Sequence, residues 1–254
     1  MPPREIGILA DEQAEPEKAL AALEESRREL ESLTYTVAHD LRAPLRAIDG
    51  FARALSEDCG ERLDEDGRRY LQHVLDAAQR MSGMLEGLLS LARIHRAEIH
   101  PTPVAFSRVI QEIVERLRAA APSRSVEVVV PDDLAAECDA SLFRIALEAL
   151  LQNAWKFTRG REPARIEVGV QPTTPPVYFV RDNGVGFDTR YAGKLFGPFQ
   201  RLHSEREFEG VGIGLAAAQR VIRRHGGRIW AQSVPDQGAT FYFTLNENPE
   251  ASAT

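Results

Sequence analysis

Residues 37–45 of the chain read Val-Ala-His-Asp-Leu-Arg-Ala-Pro-Leu, and the interpretation of the whole sequence depends on them. His39 stands next to Asp40 inside a pattern that otherwise predicts a long amphipathic helix, and such a helix needs neither side chain for its structure. An imidazole nitrogen can accept a phosphoryl group, and an adjacent carboxylate can take the proton of the other nitrogen and keep the attacking one electron-rich. By itself the pair decides little, because most histidines on helices are simply exposed or packed.

The sequence around this histidine predicts a coiled coil. From about Glu15 to Glu57 the pattern is helical, and its apolar residues follow one another at the spacing of a narrow coiled-coil seam. These residues are Leu20, Leu23, Leu30, Leu33, Val37 and Leu41. A second helix from Asp66 to about Ala97 follows a polar turn that contains Gly60. The two helices predict an antiparallel hairpin, and two hairpins predict a four-helix bundle in a homodimer.

The second half of the chain predicts a two-layer α/β sandwich. Pro101 and Pro103 end the helical part, because a proline disfavours helix in the residue before it. Beyond them we predict helices over residues 106–120, 140–158 and 212–225 and strands over residues 126–130, 165–170, 177–181, 228–232 and 240–245. The predicted domains are a disordered start (1–15), a coiled-coil and dimerisation domain that carries His39 (16–98), a linker (99–104), an α/β domain (105–246) and a disordered tail (247–254).

Composition disfavours several classes of function. The 254 residues include 31 lysines and arginines scattered among 38 acidic residues, and a net charge of -7 argues against a nucleic-acid surface. Cys59 and Cys138 lie far apart without metal-ligand spacing, so neither a disulfide framework nor a zinc site is expected. No apolar run approaches the roughly 20 residues that span a bilayer, and the acidic start is unlike a signal peptide. We therefore expect a cytoplasmic chain without a membrane span.

Two motifs in the second half bring polar side chains to places where a ligand could bind. Asn153 and Lys156 lie one helical turn apart and share a face; an amide oxygen can ligate a hard cation, and a lysine can meet phosphate. An ordinary polar helix face explains this pair equally well. Asp182 then follows a predicted strand and precedes Gly184 and Gly186, which let the backbone approach a ligand while the carboxylate accepts a hydrogen bond. A tight turn is the alternative interpretation.

A loop with aromatic residues and a glycine run complete the pattern. Phe196, Phe199 and Arg201 lie in a segment rich in glycine and proline, where aromatic rings need a place to pack. Three glycines then open the last predicted helix, so that unpaired amides and the positive helix end face a possible anion. Dinucleotide-binding folds use similar glycine runs, but theirs follow a strand near the chain start with an acid about twenty residues further on.

Taken in order, these segments resemble the sensor histidine kinase family of two-component signalling, over roughly residues 30–245. Residues 39–45 resemble its phosphoacceptor box. The later segments, residues 153–157, 182–186, 196–201 and 210–214, resemble its asparagine, first glycine, phenylalanine and second glycine boxes. The wording of the boxes is most similar to the phytochrome-like and PAS-linked branch. The resemblance implies a helical-hairpin dimerisation and phosphoacceptor domain, followed by an ATP-binding catalytic domain with the α/β sandwich of the histidine kinase and gyrase type.

The resemblance also implies a role for each matching residue. His39 accepts the γ-phosphoryl group of ATP, with Asp40 as its base and orienter, while Asn153 coordinates Mg²⁺. The nucleotide-binding residues are Lys156, Phe157, Asp182, Gly184, Gly186, Phe196, Phe199, Arg201, Gly210, Gly212 and Gly214. Among them Asp182 binds the adenine amino group, and the last three glycines hold the phosphates. The phosphoryl group then passes from His39 to an aspartate on a response regulator receiver domain.

Two positions depart from the family pattern. The family usually has a second asparagine four residues before the metal ligand, where this chain has Ala149, so metal and phosphate contacts are expected to be weaker. Gyrase-type ATPases have a water-activating glutamate there, and Ala149 cannot activate water. Ala43 replaces a threonine or asparagine that the family links to dephosphorylation of the regulator. We therefore expect kinase-biased output with weak phosphatase activity.

Two other functions remain as alternatives. One is a degenerate transmitter that binds nucleotide and acts as a non-catalytic dimeric scaffold; the other is a gyrase-type ATPase, which Ala149 disfavours. Input is expected from an upstream sensor domain or a separate sensor protein, because few residues precede the coiled coil. The remaining histidines, His73, His95, His100, His203 and His225, are expected to do no chemistry.

Overall fold

The computed structural model describes residues 5–203 and 207–246, which form two compact units, Met1–Ala92 and Arg93–Thr254. The predicted tail at 247–254 lies outside the described residues, as do the first four residues of the predicted disordered start. No helix in the described part of the chain combines the length and the apolarity that crossing a membrane requires.

The first unit is a pair of long helices joined by a tight turn. Helix α1 spans Glu5–Cys59, a 3₁₀ turn spans Gly60–Arg62, and helix α2 begins at Glu65 and ends at Arg96. Asp64 starts α2, because its side chain accepts a hydrogen bond of 2.7 Å from the backbone N–H of Gly67. The predicted hairpin is therefore confirmed.

Helix α1 begins ten residues before the expected start at Glu15, so residues 5–15 are helical where we expected disorder. The correction has a simple physical basis, since this segment is rich in alanine, glutamate, glutamine and leucine, which have high helix propensity.

One side of α1 is buried and another is apolar but exposed. Ala38, Leu45 and Ala52 recur every seven residues and are 0%, 3% and 6% exposed. The predicted coiled-coil residues behave differently, since Leu33 and Val37 are 62% and 55% exposed. Large apolar residues continue along the helices in the same exposed state, namely Leu41, Ile48, Phe51, Leu55, Tyr70, Val74, Met81 and Met84. The first unit thus presents apolar surface that its own fold does not cover.

The second unit is a five-stranded sheet backed by three helices. The sheet has the order β2 (Val126–Val129), β4 (Ala164–Gln171), β5 (Val177–Asp182), β7 (Gly238–Phe243) and β6 (Ile229–Val234). Only β2 and β4 pair in parallel; the other neighbours in this sheet are antiparallel. The helices are α3 (Phe106–Ala120), α4 (Ala140–Phe157) and α5 (Gly214–Arg224), and α4 contacts α3, α5 and β5. This arrangement confirms the predicted α/β sandwich.

Aromatic rings fill the space between the helices and the sheet. Phe106 of α3 stacks on Phe143 of α4 with ring centroids 4.5 Å apart, and Phe143 lies 5.6 Å from Phe243 of β7. All three side chains are fully buried. Burial of such rings supplies much of the free energy that holds a sheet and its helix layer together.

A second, two-stranded sheet was not predicted from the sequence. It pairs β1 (Thr102–Ala105) with β3 (Ala135–Cys138) in antiparallel register. Strand β1 occupies the second half of the segment 99–104, where we expected a linker, so this expectation is corrected. Pro103 is tolerated there because β1 lies at a sheet edge, where a missing backbone N–H need not be paired.

Candidate functional site

A cavity of about 450 Å³ opens in the second unit between α4, the loop after β5 and the start of α5. Its volume is in the range of small-molecule sites in proteins. Nine of the residues that the sequence pattern selected line it: Asn153, Lys156, Phe157, Asp182, Gly186, Arg201, Gly210, Gly212 and Gly214. Residues that lie far apart in the sequence therefore meet around one space.

Helix α4 is anchored at both ends, which fixes the side chains that it brings to the cavity. At its start, Asp139 accepts hydrogen bonds from the backbone N–H groups of Ser141 and Leu142, both 3.0 Å long. Partial burial opposes ionisation of Asp139, but these donors and the N–H of His100 outweigh it and lower its pKa to about 2. At the other end, Arg124 donates to the side chain of Thr158 at 2.8 Å. A helix held in this way can orient a ligand.

Asn153 and Lys156 face the cavity from the last turns of α4. The Asn153 amide makes no hydrogen bond to any residue that the structure describes, so it is available to a ligand. The Lys156 ammonium lies 4.2 Å from the centre of the Phe157 ring. Its pKa is lowered mainly by burial and further by the nearby Arg201, while Glu209 acts in the opposite direction. An incompletely hydrated cation at a cavity wall is well placed for a phosphate.

Asp182 ends β5 at the wall of the cavity and is 5% exposed. Its Oδ1 accepts the backbone N–H of Gly184 at 2.8 Å and that of Ala239 at 3.4 Å. Burial raises the pKa of Asp182 to about 6, against the effect of these two donors. Neither bond uses Oδ2, which accepts no hydrogen bond from the residues that the structure describes. A buried carboxylate with one oxygen committed and one available is suited to recognise a donor on a ligand.

The glycine run before α5 brings backbone to the cavity. Gly210 and Gly212 have φ angles of +129° and +77°, which residues with a side chain rarely adopt. Helix α5 begins at Gly214, so its first N–H groups have no partner within the helix. This end of the cavity is therefore suited to an anion.

Three predicted nucleotide-binding residues do not line the cavity. Phe196 is 8% exposed and packs inside the fold, because an apolar ring in a loop is stabilised by burial. Phe199 is 43% exposed, and its backbone N–H instead donates to Gly212 at 2.9 Å. Gly184 acts behind the wall, where a Cβ would lie 2.4 Å from the carbonyl oxygen of Phe157. The resemblance assigns Gly184 to the shape of the base pocket and the two phenylalanines to a mobile lid, and these roles stay predictions.

Residues that the sequence pattern did not select also line the cavity, and two of them, His203 and Phe208, carry rings that pack together. Their rings lie 5.1 Å and 4.8 Å from the ring of Phe157. They belong to an irregular segment without periodicity, so the only sequence signal was the presence of rings in a region rich in glycine. His203 therefore lies at the cavity, and the expectation that it does no chemistry stays a prediction.

The first unit contains the adjacent residues His39 and Asp40. His39 and Asp40 are both exposed in α1, and His39 Nδ1 lies 3.2 Å from Asp40 Oδ1. When Nδ1 carries the hydrogen and donates it to the carboxylate, the lone pair of Nε2 is left free. This geometry suits a nucleophile.

Both units match known protein families. Residues 29–97 match the family described as the His Kinase A (phospho-acceptor) domain, and residues 138–249 match the family described as the histidine kinase-, DNA gyrase B-, and HSP90-like ATPase. The chain belongs to the sensor histidine kinase family. It has the domain order of that family's transmitter module, because the phosphoacceptor domain precedes the ATPase domain.

Curated histidine kinase relatives are similar over nearly the whole of this transmitter module. Cyanobacterial phytochrome B of Nostoc is 32% identical over 95% of this chain and 33% of its own length. The methanogenesis regulatory histidine kinase FilI of Methanothrix harundinacea is 35% identical over 93% of this chain and 27% of its own length. The chain thus spans about a third of the length of the curated relatives that it matches.

Solved structures share the fold of this histidine kinase module. Full-length ShkA in complex with AMPPNP matches 86% of this chain and 47% of its own with a TM-score of 0.59 and 22% identity. The Acinetobacter baumannii histidine kinase AdeS matches 82% of this chain and 98% of its own with a TM-score of 0.55 and 18% identity.

Proposed function

We propose that this protein catalyses ATP-dependent autophosphorylation at His39, as a homodimer, and then supplies the phosphoryl group to an aspartate of a response regulator. The observation that carries the proposal is the cavity of the second unit. There a buried carboxylate, a lysine and a glycine-rich helix start converge. The carboxylate matches the adenine base of ATP, and the lysine and the helix start match its negatively charged phosphates.

Asp182 is proposed to select adenine. Its available Oδ2 can accept a hydrogen bond from the exocyclic amino group of adenine, whereas guanine presents a carbonyl oxygen at the equivalent position. A buried carboxylate facing a carbonyl oxygen would have no donor to pair with, and an unpaired buried group weakens binding by about 1–3 kcal/mol. Phe157 adds ring surface beside this group.

The phosphates are proposed to lie at the opposite end, against Lys156 and the backbone amides around Gly210, Gly212 and the start of α5. Arg201 also lines the cavity and supplies a second cationic side chain. Cations and amides fixed before the reaction stabilise the charge that develops during phosphoryl transfer without reorganising.

Asn153 is proposed to hold Mg²⁺. The described residues contain no cluster of three or more histidine, cysteine, aspartate or glutamate side chains that could bind a metal by itself. One protein oxygen together with phosphate oxygens and water is a donor set that Mg²⁺ accepts, and the unpaired Asn153 amide at the cavity fits this requirement. The ion would neutralise charge on the phosphate oxygens.

His39 is proposed to react through Nε2. Asp40 accepts the Nδ1 hydrogen and holds the ring in the tautomer whose Nε2 lone pair is free. That lone pair forms the new bond to the γ-phosphorus, the bond to the bridging oxygen breaks, and ADP leaves. Asp40 meanwhile stabilises the positive charge that develops on the ring.

The exposed apolar residues of the first unit support the proposal that the hairpin pairs with a second copy in a four-helix bundle. Phe51 is 78% exposed and Leu33 62% exposed, and a seam of this kind needs a partner. The whole protein's partners are likewise proposed: a receiver domain as phosphoryl acceptor, and a sensor domain or sensor protein as input. Ala43 supports weak phosphatase activity, because a methyl side chain cannot orient water.

Labelling from γ-labelled ATP tests the proposed activity. The full chain should acquire an acid-labile, base-stable label, whereas His39→Gln should acquire none. His73→Gln, an exposed histidine of α2, is the matched control and should be labelled like the parent. Equal labelling of His39→Gln and the parent would refute the assignment.

Ala149 favours one alternative, a non-catalytic scaffold that binds nucleotide. It lines the cavity next to Asn153, and its methyl group supplies no polar contact. A parent chain that binds ADP but never becomes labelled would support the scaffold. Steady phosphate release that survives the loss of His39 would instead indicate a gyrase-type ATPase.

A further inference from the structure

The ring of His203 is hydrogen-bonded to the backbone of Gly186, which lines the cavity. Its Nε2 lies 3.0 Å from the carbonyl oxygen of Gly186. Since a carbonyl oxygen only accepts hydrogen bonds, Nε2 carries the hydrogen and donates it. The backbone around Gly186 is held on both sides, because the N–H of Val185 donates to the carbonyl oxygen of Phe157 at 3.1 Å and that of Phe187 to the Ser233 hydroxyl at 2.8 Å. The histidine is therefore fixed to a rigid point of the first glycine box.

Three rings form a compact cluster around this anchor. The ring centroids of Phe157, His203 and Phe208 are separated by 4.8 Å, 5.1 Å and 5.4 Å, and the planes are mutually tilted. Each of the three side chains is half-buried, and each lines the cavity. Phe208 has a second restraint, because its carbonyl oxygen accepts a hydrogen bond from the guanidinium of Arg201. The cluster belongs to the structure of the site without any ligand.

The spacing of the rings determines where a base can lie. Insertion of a planar base between two rings requires about 7 Å, twice the roughly 3.5 Å at which carbon atoms pack. All three separations in the cluster are shorter than this. A base must therefore bind against the outside of the cluster, in the cavity that these rings share with Asp182. The cluster then acts as one wall, and its position depends on the bond between His203 and Gly186.

We propose that His203 is a positioning residue for the nucleotide base: its hydrogen bond to Gly186 fixes the aromatic wall formed with Phe157 and Phe208, against which the purine packs. This inference rests on the proposed function of the cavity and adds a residue to it. The wall acts chiefly on the base: the phosphates are assigned to the glycine run and Lys156, whose ammonium contacts the ring of Phe157, a ring that a change at His203 leaves in place. Its loss should weaken ligands with a base and spare ligands without one.

Two probes separate these effects in the full chain. The dissociation constant of ADP, measured by calorimetry, should rise about tenfold in His203→Ala, because a hydrogen bond and a ring contact are lost together. The dissociation constant of inorganic triphosphate, which has no base, should stay within about twofold of the parent value. His203→Gln retains an N–H donor and should recover part of the ADP affinity. His100→Ala is the matched control, because that side chain is 76% exposed, and it should bind both probes like the parent.

The outcomes distinguish the inference from the proposed function. Unchanged ADP binding in His203→Ala would overturn the inference, and so would an equal loss for ADP and triphosphate, which would make His203 a general support of the loop. If the alanine variant does not fold, His203→Phe replaces it, because phenylalanine keeps a ring but has no N–H to donate to Gly186; unchanged ADP binding in that variant would likewise overturn the inference. A parent chain that binds no ADP would refute the proposed function itself, and the inference with it.

Discussion

Replacing Asp182 with asparagine should stabilise the second unit while removing the proposed recognition of adenine. Burial raises the pKa of Asp182 to about 6 from its ordinary value of 3.8. Because the folded-state pKa is the higher one, the folded protein binds the proton more tightly, and the contribution of this group to stability is lost as the pH rises from 3.8 through 6. At about 1.4 kcal/mol for each pH unit, the ionised carboxylate destabilises the fold by about 3 kcal/mol above pH 7.

Asp182→Asn removes this charge and keeps an oxygen that can accept the N–H of Gly184. We expect a gain of about 1–3 kcal/mol at pH 7.5, below the full value because the new amide N–H₂ group is itself partly buried. The gain should shrink to about a third at pH 4.5, where the parent carboxyl is protonated in the folded state. The same variant should no longer be stabilised by ADP, since an amide N–H₂ opposite the adenine amino group repels it.

Urea unfolding followed by tryptophan fluorescence measures these effects. Both tryptophans, Trp155 and Trp230, lie in the second unit, so the signal reports that unit and not the helical hairpin. Asp132→Asn, the same change at an exposed position, is the control and should alter stability by less than about 0.5 kcal/mol. A variant no more stable than the parent at pH 7.5, or a gain independent of pH, would refute the argument that burial governs Asp182.

Three further substitutions test the fold around the site. Gly184→Ala should destabilise the second unit by about 2 kcal/mol or more in urea unfolding, because its Cβ would lie 2.4 Å from the Phe157 carbonyl oxygen, whereas Gly193→Ala, with no atom within 4 Å, should be neutral. Asp139→Ala should lower the free energy of unfolding by about 1–2 kcal/mol, because α4 loses its N-terminal cap. The pKa of Asp139 is lowered to about 2 in the folded protein, so the stability difference between the variant and the parent should disappear as the pH falls from 4 toward 2. Acid titrations followed by fluorescence measure this. Phe106→Ala should cost about 3–5 kcal/mol in the same urea assay, because it empties the stack on Phe143; a loss below about 1 kcal/mol would contradict the described core.

The regular elements could be predicted because their patterns are local. Helix α3 begins and ends at the predicted residues, and the strands of the large sheet differ from prediction by only a few residues at their ends. The short pair β1 and β3 escaped notice, because four residues give too little periodicity and Pro103 argues against a strand. The helix over residues 5–15 was not predicted for a different reason. This segment has helix propensity but no apolar stripe, and most helices in proteins are stabilised by packing of such a stripe.

Among the candidate functional residues of the two units, the sequence by itself determined which residue types are present and in what order. His39 with Asp40, the Asn153 and Lys156 pair, Asp182 and the glycine run are each recognisable from spacing, because a helical turn or a strand end fixes the side chains near it. Tertiary structure alone decided which of them meet. Folding brings nine of the predicted residues to one cavity, leaves Gly184, Phe196 and Phe199 outside its lining and adds residues such as His203 and Phe208. Contacts between an irregular loop and a distant helix depend on how the whole unit packs, and no local pattern encodes them.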